Sequence, residues 1–502
     1  MAKNLMIQGT MSGVGKSILT AGLLRIFRQD GFKVAPFKSQ NMALNSYVTR
    51  QGREIGRAQA LQAAAAKIEP SSDMNPILLK PMGDTTSQVI INGLPIGNMK
   101  AKDYFARKKE FIPDIMAAYD RLSKKSDIIV IEGAGSPVEI NLRKNDIVNM
   151  GLAQMLKAPV LLVGDIDPGG VFAQLLGTIN LLPEKERERV KGLIINKFRG
   201  DVTLLEPGLD MFKAYCDIPF AGIVPYVNLS LDEEDSVSNR LNNQKDVAFS
   251  TDHVDYINNG KIDNNSIDIR IAVIRLPYIS NYTDFTIFEQ VPGVYLYYTD
   301  DSKKLVNADL IIIPGTKNTI SDLRWLEEKG IANTLKKLAG EDVPIIGICG
   351  GFQMLGKQIL DPGSYENSGT ARGLGLLPIE TVFKDYKNLR QITTKVPCLE
   401  GFYKLLSNIE ITGYEIHMGE SLGDNSKESV ISNGCVLGTY IHGIFDMPQF
   451  TGTLLQILYN KKGLRKTVPT IEKVSVTQDK ELDMLADVLR QNLDLEMIYS
   501  MM

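Results

Sequence analysis

Two short stretches of this chain carry residue types from which chemistry is built. The first is Gly9-Thr10-Met11-Ser12-Gly13-Val14-Gly15-Lys16-Ser17. Its glycines let backbone N–H groups approach phosphate oxygens, and a helix beginning at its end adds free donors and a favourable dipole. Thr10, Ser12, Gly13, Val14 and Gly15 then form a phosphate cradle, Lys16 reaches the β- and γ-phosphates, and Ser17 offers a hydroxyl to Mg2+, so ATP is the expected ligand. The second stretch is Cys349-Gly350-Gly351, which follows the apolar run Pro344-Ile345-Ile346-Gly347-Ile348. A cysteine on a strand–turn–helix elbow is exposed, strained and close to a helix N-terminus, a setting that favours the thiolate. The glycines beside it remove bulk where a substrate must approach. A lone cysteine is otherwise a small buried apolar residue. Further on, Gly438-Thr439-Tyr440-Ile441-His442-Gly443 ends a strand-like run on His442. That histidine is a candidate base to take the thiol proton and return it to a leaving group.

These residues need a scaffold, and the hydrophobic pattern supplies one. Short apolar runs at 4–8, 33–37, 127–131, 160–163, 193–195 and 221–224 alternate with helical stretches. Such runs, bounded by Gly, Pro or Asp, read as buried parallel strands of a doubly wound α/β sheet. The strand at 127–131 ends on Glu132, where a carboxylate beside the phosphate cradle would meet Mg2+; a capping role is the alternative. The strand at 193–195 ends on Asn196. A second strand–helix alternation runs through 268–274, 309–313, 344–348 and 435–441. We therefore expect an N-terminal α/β domain at 1–231, a polar linker at 232–266, a second α/β domain at 267–462 and a C-terminal helical tail at 463–502. In the tail, Leu482, Met484, Leu485, Val488, Leu489 and Leu493 recur at helical spacing. His253, inside the polar stretch, is expected to be solvated.

Bulk properties narrow the function further. The chain of 502 residues is 44% hydrophobic and 23% charged, enough apolar material for more than one core. A formal net charge of -3 gives no nucleic-acid footprint. Four cysteines form no C-x-x-C pair, and three histidines are too few for a His-rich metal site. Cys216, Cys398 and Cys435 have no reactive context. Neither a signal-peptide pattern nor a long apolar span is present, so a cytoplasmic protein with small-molecule partners and no membrane is expected. Its oligomeric state is not encoded legibly.

The spacing of the first motif resembles the deviant phosphate-binding loops of the dethiobiotin synthetase and MinD/ParA superfamily. Met11 stands where the MinD/ParA branch carries a signature lysine, which favours the synthetase branch. The resemblance implies that Glu132, in Glu132-Gly133-Ala134-Gly135, ligates the metal, that the Asn196 amide meets adenine, and that Lys38 neutralises the transferring phosphoryl group. A salt-bridged lysine is the alternative for Lys38. The elbow cysteine followed by a strand-end histidine resembles class I glutaminase domains, with Cys349 as nucleophile and His442 as base. The loop Pro314-Gly315-Thr316-Lys317-Asn318-Thr319 resembles their oxyanion loop, implying an N–H from Gly315–Thr316. Ordinary members carry Glu two residues after the histidine, but here that position is Ile444. What orients His442 is therefore open; Glu415 and His417 are auxiliary candidates, and His417 is an alternative base.

Several further segments occur in order: Ala35-Pro36-Phe37-Lys38-Ser39-Gln40-Asn41-Met42-Ala43-Leu44-Asn45-Ser46, then Glu54-Ile55-Gly56-Arg57-Ala58-Gln59, then Met74-Asn75-Pro76-Ile77-Leu78-Leu79-Lys80-Pro81, then Gly164-Asp165-Ile166-Asp167-Pro168-Gly169-Gly170-Val171-Phe172. Over nearly the whole chain this set resembles the cobyric acid synthase family. The resemblance implies amidation of the b, d, e and g carboxylates of adenosylcobyrinic acid a,c-diamide, a corrinoid, through acyl phosphates, with glutamine as nitrogen donor. Asn41, Asn45 and Gln59 are candidates for corrinoid amides or for loop stabilisation, and Asp165 for a magnesium second layer or a structural role. The competing readings are cobyrinic acid a,c-diamide synthase, a P-loop regulatory ATPase with an inert glutaminase-like domain, and a ligase using free ammonia or carbon dioxide.

Overall fold

The computed structural model describes residues 2–83, 85–229, 231, 254–257, 260–263, 267–366, 369–423 and 428–502. His253 and most of the polar stretch 232–266 lie outside the described residues. The chain forms two compact units, neither of them one continuous stretch. The first comprises Met1–Ala43, Arg53–Glu234 and Thr477–Met502; the second comprises Leu44–Gly52 and Asp235–Val476.

The first unit is built on six parallel strands in the spatial order Phe220–Pro225, Val190–Phe198, Val160–Asp165, Lys3–Gly9, Ile128–Glu132 and Val34–Phe37. Its central strands are near-continuous Ile, Val and Leu because helices cover both faces, which leaves no solvated side to require alternation. Every apolar run expected in this half is one of these strands. A separate four-stranded sheet, Gln40–Met42, Ile77–Pro81, Thr86–Ile91 and Leu94–Lys100, was not legible in the sequence. Lys80 and Glu54 form a buried salt bridge beneath it, 2.9 Å long.

The helix Lys16–Gln29 leaves the phosphate cradle and is covered by part of the helix Val474–Asn492. Leu482, Leu485 and Leu489 are fully buried in the same apolar cluster as Leu19 and Leu23, whereas Met484 is exposed. The fit is close: a Cβ on Gly22 would stand 2.3 Å from a Leu489 methyl. Arg25, buried within that helix, reaches Asp479 at 2.5 Å.

The second unit carries the order Val294–Thr299, Ile269–Ile274, Leu310–Ile313, Ile345–Ile348, Val436–Thr439 and Val430–Asn433, parallel except for the last pair. A long antiparallel hairpin, Ile379–Lys395 with Glu410–Gly423, lies in another sheet of this unit. The segment Leu44–Gly52 belongs to the unit through this hairpin. Val48 is buried with Tyr414 and Ile416, the rings of Tyr47 and Tyr414 lie 5.4 Å apart, and Gln391 Nε2 donates to the Val48 carbonyl at 3.0 Å. Among the described residues no helix is long and apolar enough to cross a membrane.

If the C-terminal helix is part of the first core, Leu485→Ala leaves a cavity against the helix Lys16–Gln29. The expected loss is about 2–5 kcal/mol of stability, read as a lowered urea midpoint; an unchanged midpoint would contradict this packing.

Candidate active sites

In the first unit the strand Lys3–Gly9 runs into the cradle and the helix begins at Lys16. Gly15 holds the left-handed conformation at φ 94°, and a Cβ there would collide with the Asn196 amide at 2.3 Å, so only glycine suits the position. Asn196 Nδ2 donates to the Val14 carbonyl at 2.8 Å. The Thr10 hydroxyl meets Gln174 at 3.3 Å, and Lys16 Nζ donates to the carbonyls of Met11 at 3.0 Å and Gly135 at 3.3 Å. Ser12 and Gly13 complete the turn. Lys197 Nζ donates to the Gly13 carbonyl at 2.6 Å and to Asp165 at 2.7 Å, so Asp165 braces the loop from behind.

Three of the anticipated residues converge on one atom. Glu132 Oε1 accepts from Ser17 Oγ and from Lys38 Nζ, each at 2.8 Å, while Oε2 accepts from Gln62 Nε2 at 2.5 Å. Glu132 is fully buried. Burial alone would push its carboxyl up; the adjacent Lys38 ammonium, with Gln62 and Ser17, instead holds it below its ordinary value. The salt bridge anticipated as the alternative for Lys38 exists, and it is buried. Gln62 carried no sequence signal of its own within an alanine-rich helix. Asn41, also buried, donates to Gln59 at 2.9 Å in this unit, whereas Asn45 is buried in the second unit.

In the second unit the strand Ile345–Ile348 turns at Cys349 into the helix Gly350–Leu355. Cys349 stands at φ 51°, ψ −108°, the strained conformation expected, but it is buried rather than exposed because the elbow packs against the apolar core of this unit. The turn is tight enough that a Cβ on Gly351 would lie 2.0 Å from the Ile313 carbonyl oxygen. The loop Gly315–Thr316 lies between elbow and base: a Cβ on Gly315 would be 3.2 Å from His442 Cε1, and one on Gly350 would be 3.1 Å from the Thr316 nitrogen. Thr316 Oγ1 is held by buried Asp322 at 2.5 Å. Thus Cys349, His442, Gly315 and Thr316 are brought together.

His442 is buried, and its Nδ1 lies 2.7 Å from Asp284 Oδ2. Burial alone would drive the imidazole toward its neutral form; Asp284, reinforced by a hydrogen bond with Cys349, overrides this and pushes it up to about 10. The Tyr414 ring stacks over the imidazole at 5.4 Å. Of the residues the sequence suggested beside His442, Glu415 is bound by Arg390 at 2.6 Å and Asn388 at 3.1 Å. His417 stacks on Tyr440 at 3.8 Å, with its Nδ1 2.7 Å from the Gly419 carbonyl. Asp284 was missed. It lies 158 residues before His442, in the mixed stretch Ser280-Asn281-Tyr282-Thr283-Asp284-Phe285-Thr286, which carries no signal that marks it.

Comparison with known proteins places these sites in context. Residues 270–450 match the CobB/CobQ-like glutamine amidotransferase domain, and residues 5–237 match the CobQ/CobB/MinD/ParA nucleotide binding domain. The chain is 48% identical to a cobyric acid synthase of Ruminiclostridium cellulolyticum, over 99% of this chain and 97% of that protein. It is 49% identical to those of Lachnoclostridium phytofermentans, over 100% and 99%, and Clostridium acetobutylicum, over 99% and 98%.

The raised imidazole implies a pH dependence with a fixed sign. A cation favoured by folding contributes its full stability below the unfolded value near 6.5, and that contribution is lost as pH rises through about 10. The melting-temperature advantage of the wild type over His442→Asn should therefore shrink across that window, and a constant advantage would contradict the buried pair.

Proposed function

This chain belongs to the cobyric acid synthase family, and on that premise we propose that it amidates the b, d, e and g carboxylates of adenosylcobyrinic acid a,c-diamide with ATP and glutamine. The supporting observation is that one unit brings an elbow cysteine together with a buried histidine held by Asp284, while the other gathers Ser17, Lys38 and Glu132 at a phosphate cradle. The end-to-end similarity favours this reading over the sister a,c-diamide synthase and over a regulatory ATPase.

We assign glutamine hydrolysis to 267–462 and ATP chemistry to 1–231. Cys349 Sγ attacks the glutamine side-chain carbonyl after His442 takes the thiol proton. The backbone N–H groups of Gly315–Thr316 stabilise the oxyanion. His442 then protonates the departing ammonia, and water cleaves the γ-glutamyl thioester to release glutamate and restore the thiol.

In the first unit the substrate carboxylate attacks the ATP γ-phosphorus, ADP leaves, and ammonia displaces phosphate from the acyl phosphate. In this reading Thr10, Ser12, Gly13, Val14, Gly15 and Lys16 bind the phosphates, the Asn196 amide meets adenine, and Lys38 neutralises charge on the transferring group. Asn41 and Asn45 are proposed corrinoid contacts. The clustered Ser17 and Glu132 oxygens suit Mg2+, which prefers few protein ligands plus phosphates; bound there it would neutralise phosphate charge. A cytoplasmic location fits the reliance on ATP and glutamine.

A mass-spectrometric time course with Mg-ATP, glutamine and adenosylcobyrinic acid a,c-diamide tests the reading. Stepwise amidation is expected. Cys349→Ala should lose it with glutamine and regain it with ammonium, and Lys16→Ala should lose it with either. A folded, ATP-binding wild type that adds no amide would refute the assignment.

A further inference from the structure

We propose that Asp284 is the positioning carboxylate of the glutamine-hydrolysing pair, standing in from upstream for the acid that the chain lacks two residues after His442. This rests on the reading of Cys349 and His442 as nucleophile and base. The position where such an acid would follow the histidine is Ile444, which is buried among apolar side chains.

Asp284 lies in the short helical turn Tyr282–Phe285. Both its oxygens are engaged at the histidine: Oδ2 with His442 Nδ1 at 2.7 Å, and Oδ1 with the Gly443 backbone N–H at 3.3 Å. That two-point hold ties the carboxylate to the edge of the ring and to the backbone just after it. Because Nδ1 is committed to Asp284, Nε2 is the nitrogen left for the thiol, which is the tautomer the chemistry requires.

A second restraint acts on the ring face. Tyr414 stacks on the imidazole at an interplanar angle of 19°. Its hydroxyl donates to the Ser46 carbonyl at 3.0 Å and accepts from Asn281 Nδ2 at 2.8 Å. Asn281 immediately precedes the turn that carries Asp284 and also donates to the Ser46 carbonyl at 3.0 Å. Plane and face of the imidazole are therefore set by one connected network. Three other acids of this unit are engaged elsewhere: Glu415 with Arg390, Asp322 with Thr316, and Glu366 with Thr319 and the Ile320 N–H.

The test compares Asp284→Asn and Asp284→Glu with the wild type. With glutamine, Asp284→Asn should lower kcat by roughly 10³-fold or more, as expected when the orienting acid of a triad is neutralised, and change KM little. Ammonium-dependent amidation should stay at the wild-type rate, which shows the protein is folded. Alkylation of Cys349 by iodoacetamide at pH 7 should slow, and Asp284→Glu should restore part of both losses. An Asn variant that hydrolyses glutamine and alkylates at wild-type rates would overturn the proposal.

The chain's three histidines permit a check without any change at Asp284. In ¹⁵N-histidine spectra, one imidazole, assigned through His442→Asn, should stay doubly protonated well above pH 7. Titration of all three near 6.5 would likewise overturn the proposal. Glutamine hydrolysis that survives in Cys349→Ala would instead reject the underlying assignment of nucleophile and base.

Discussion

A carboxylate withdrawn from water must be given a cation or a set of donors at hydrogen-bond distance, because an uncompensated buried charge costs several kcal/mol. Each centre of this protein is organised around one such carboxylate. Glu132 has no solvent exposure and is held by Lys38, Ser17 and Gln62. Asp284 is 5% exposed and is held by His442 and the Gly443 N–H. In both cases the groups that satisfy the acid include residues to which we assign the chemistry, Lys38 and Ser17 in one and His442 in the other. Loss of either acid would remove the buried partner that Lys38 or His442 has in the structure.

Both centres also sit at the carboxyl ends of parallel strands, where side chains can project beyond a sheet whose central strands are mostly apolar. Glu132 ends the strand Ile128–Glu132, and Cys349 follows Ile345–Ile348 directly. The strands set these positions rigidly, and the turns after them carry the unusual backbone: φ 94° at Gly15 and φ 51° at Cys349.

Much of this was legible because it is local. The phosphate cradle, the cysteine elbow and the strand-end His442 are each written in a few consecutive residues, and unbroken apolar runs reveal buried parallel strands. The remainder depends on long-range pairing that no window of sequence contains. Asp284 finds His442 across 158 residues, and Gln62 finds Glu132 across 70. Glu415 and His417 are named in the sequence as an acid and an imidazole in the run 414–419; strand pairing sets Glu415 opposite Arg390 and His417 opposite Asn388. The periodicity of the C-terminal helix was readable, but nothing in it named Gly22 and Arg25 as what it covers.

The chain passes from one unit to the other at 43/44, 52/53, 234/235 and 476/477. A gene divided within the polar stretch would thus encode two polypeptides, each holding a part of the other's body. The upstream product would keep Leu44–Gly52, whose Ser46 carbonyl anchors Tyr414 over His442. The downstream product would keep the leucines that cover the helix Lys16–Gln29. Each product would therefore lack a segment that packs within its own unit.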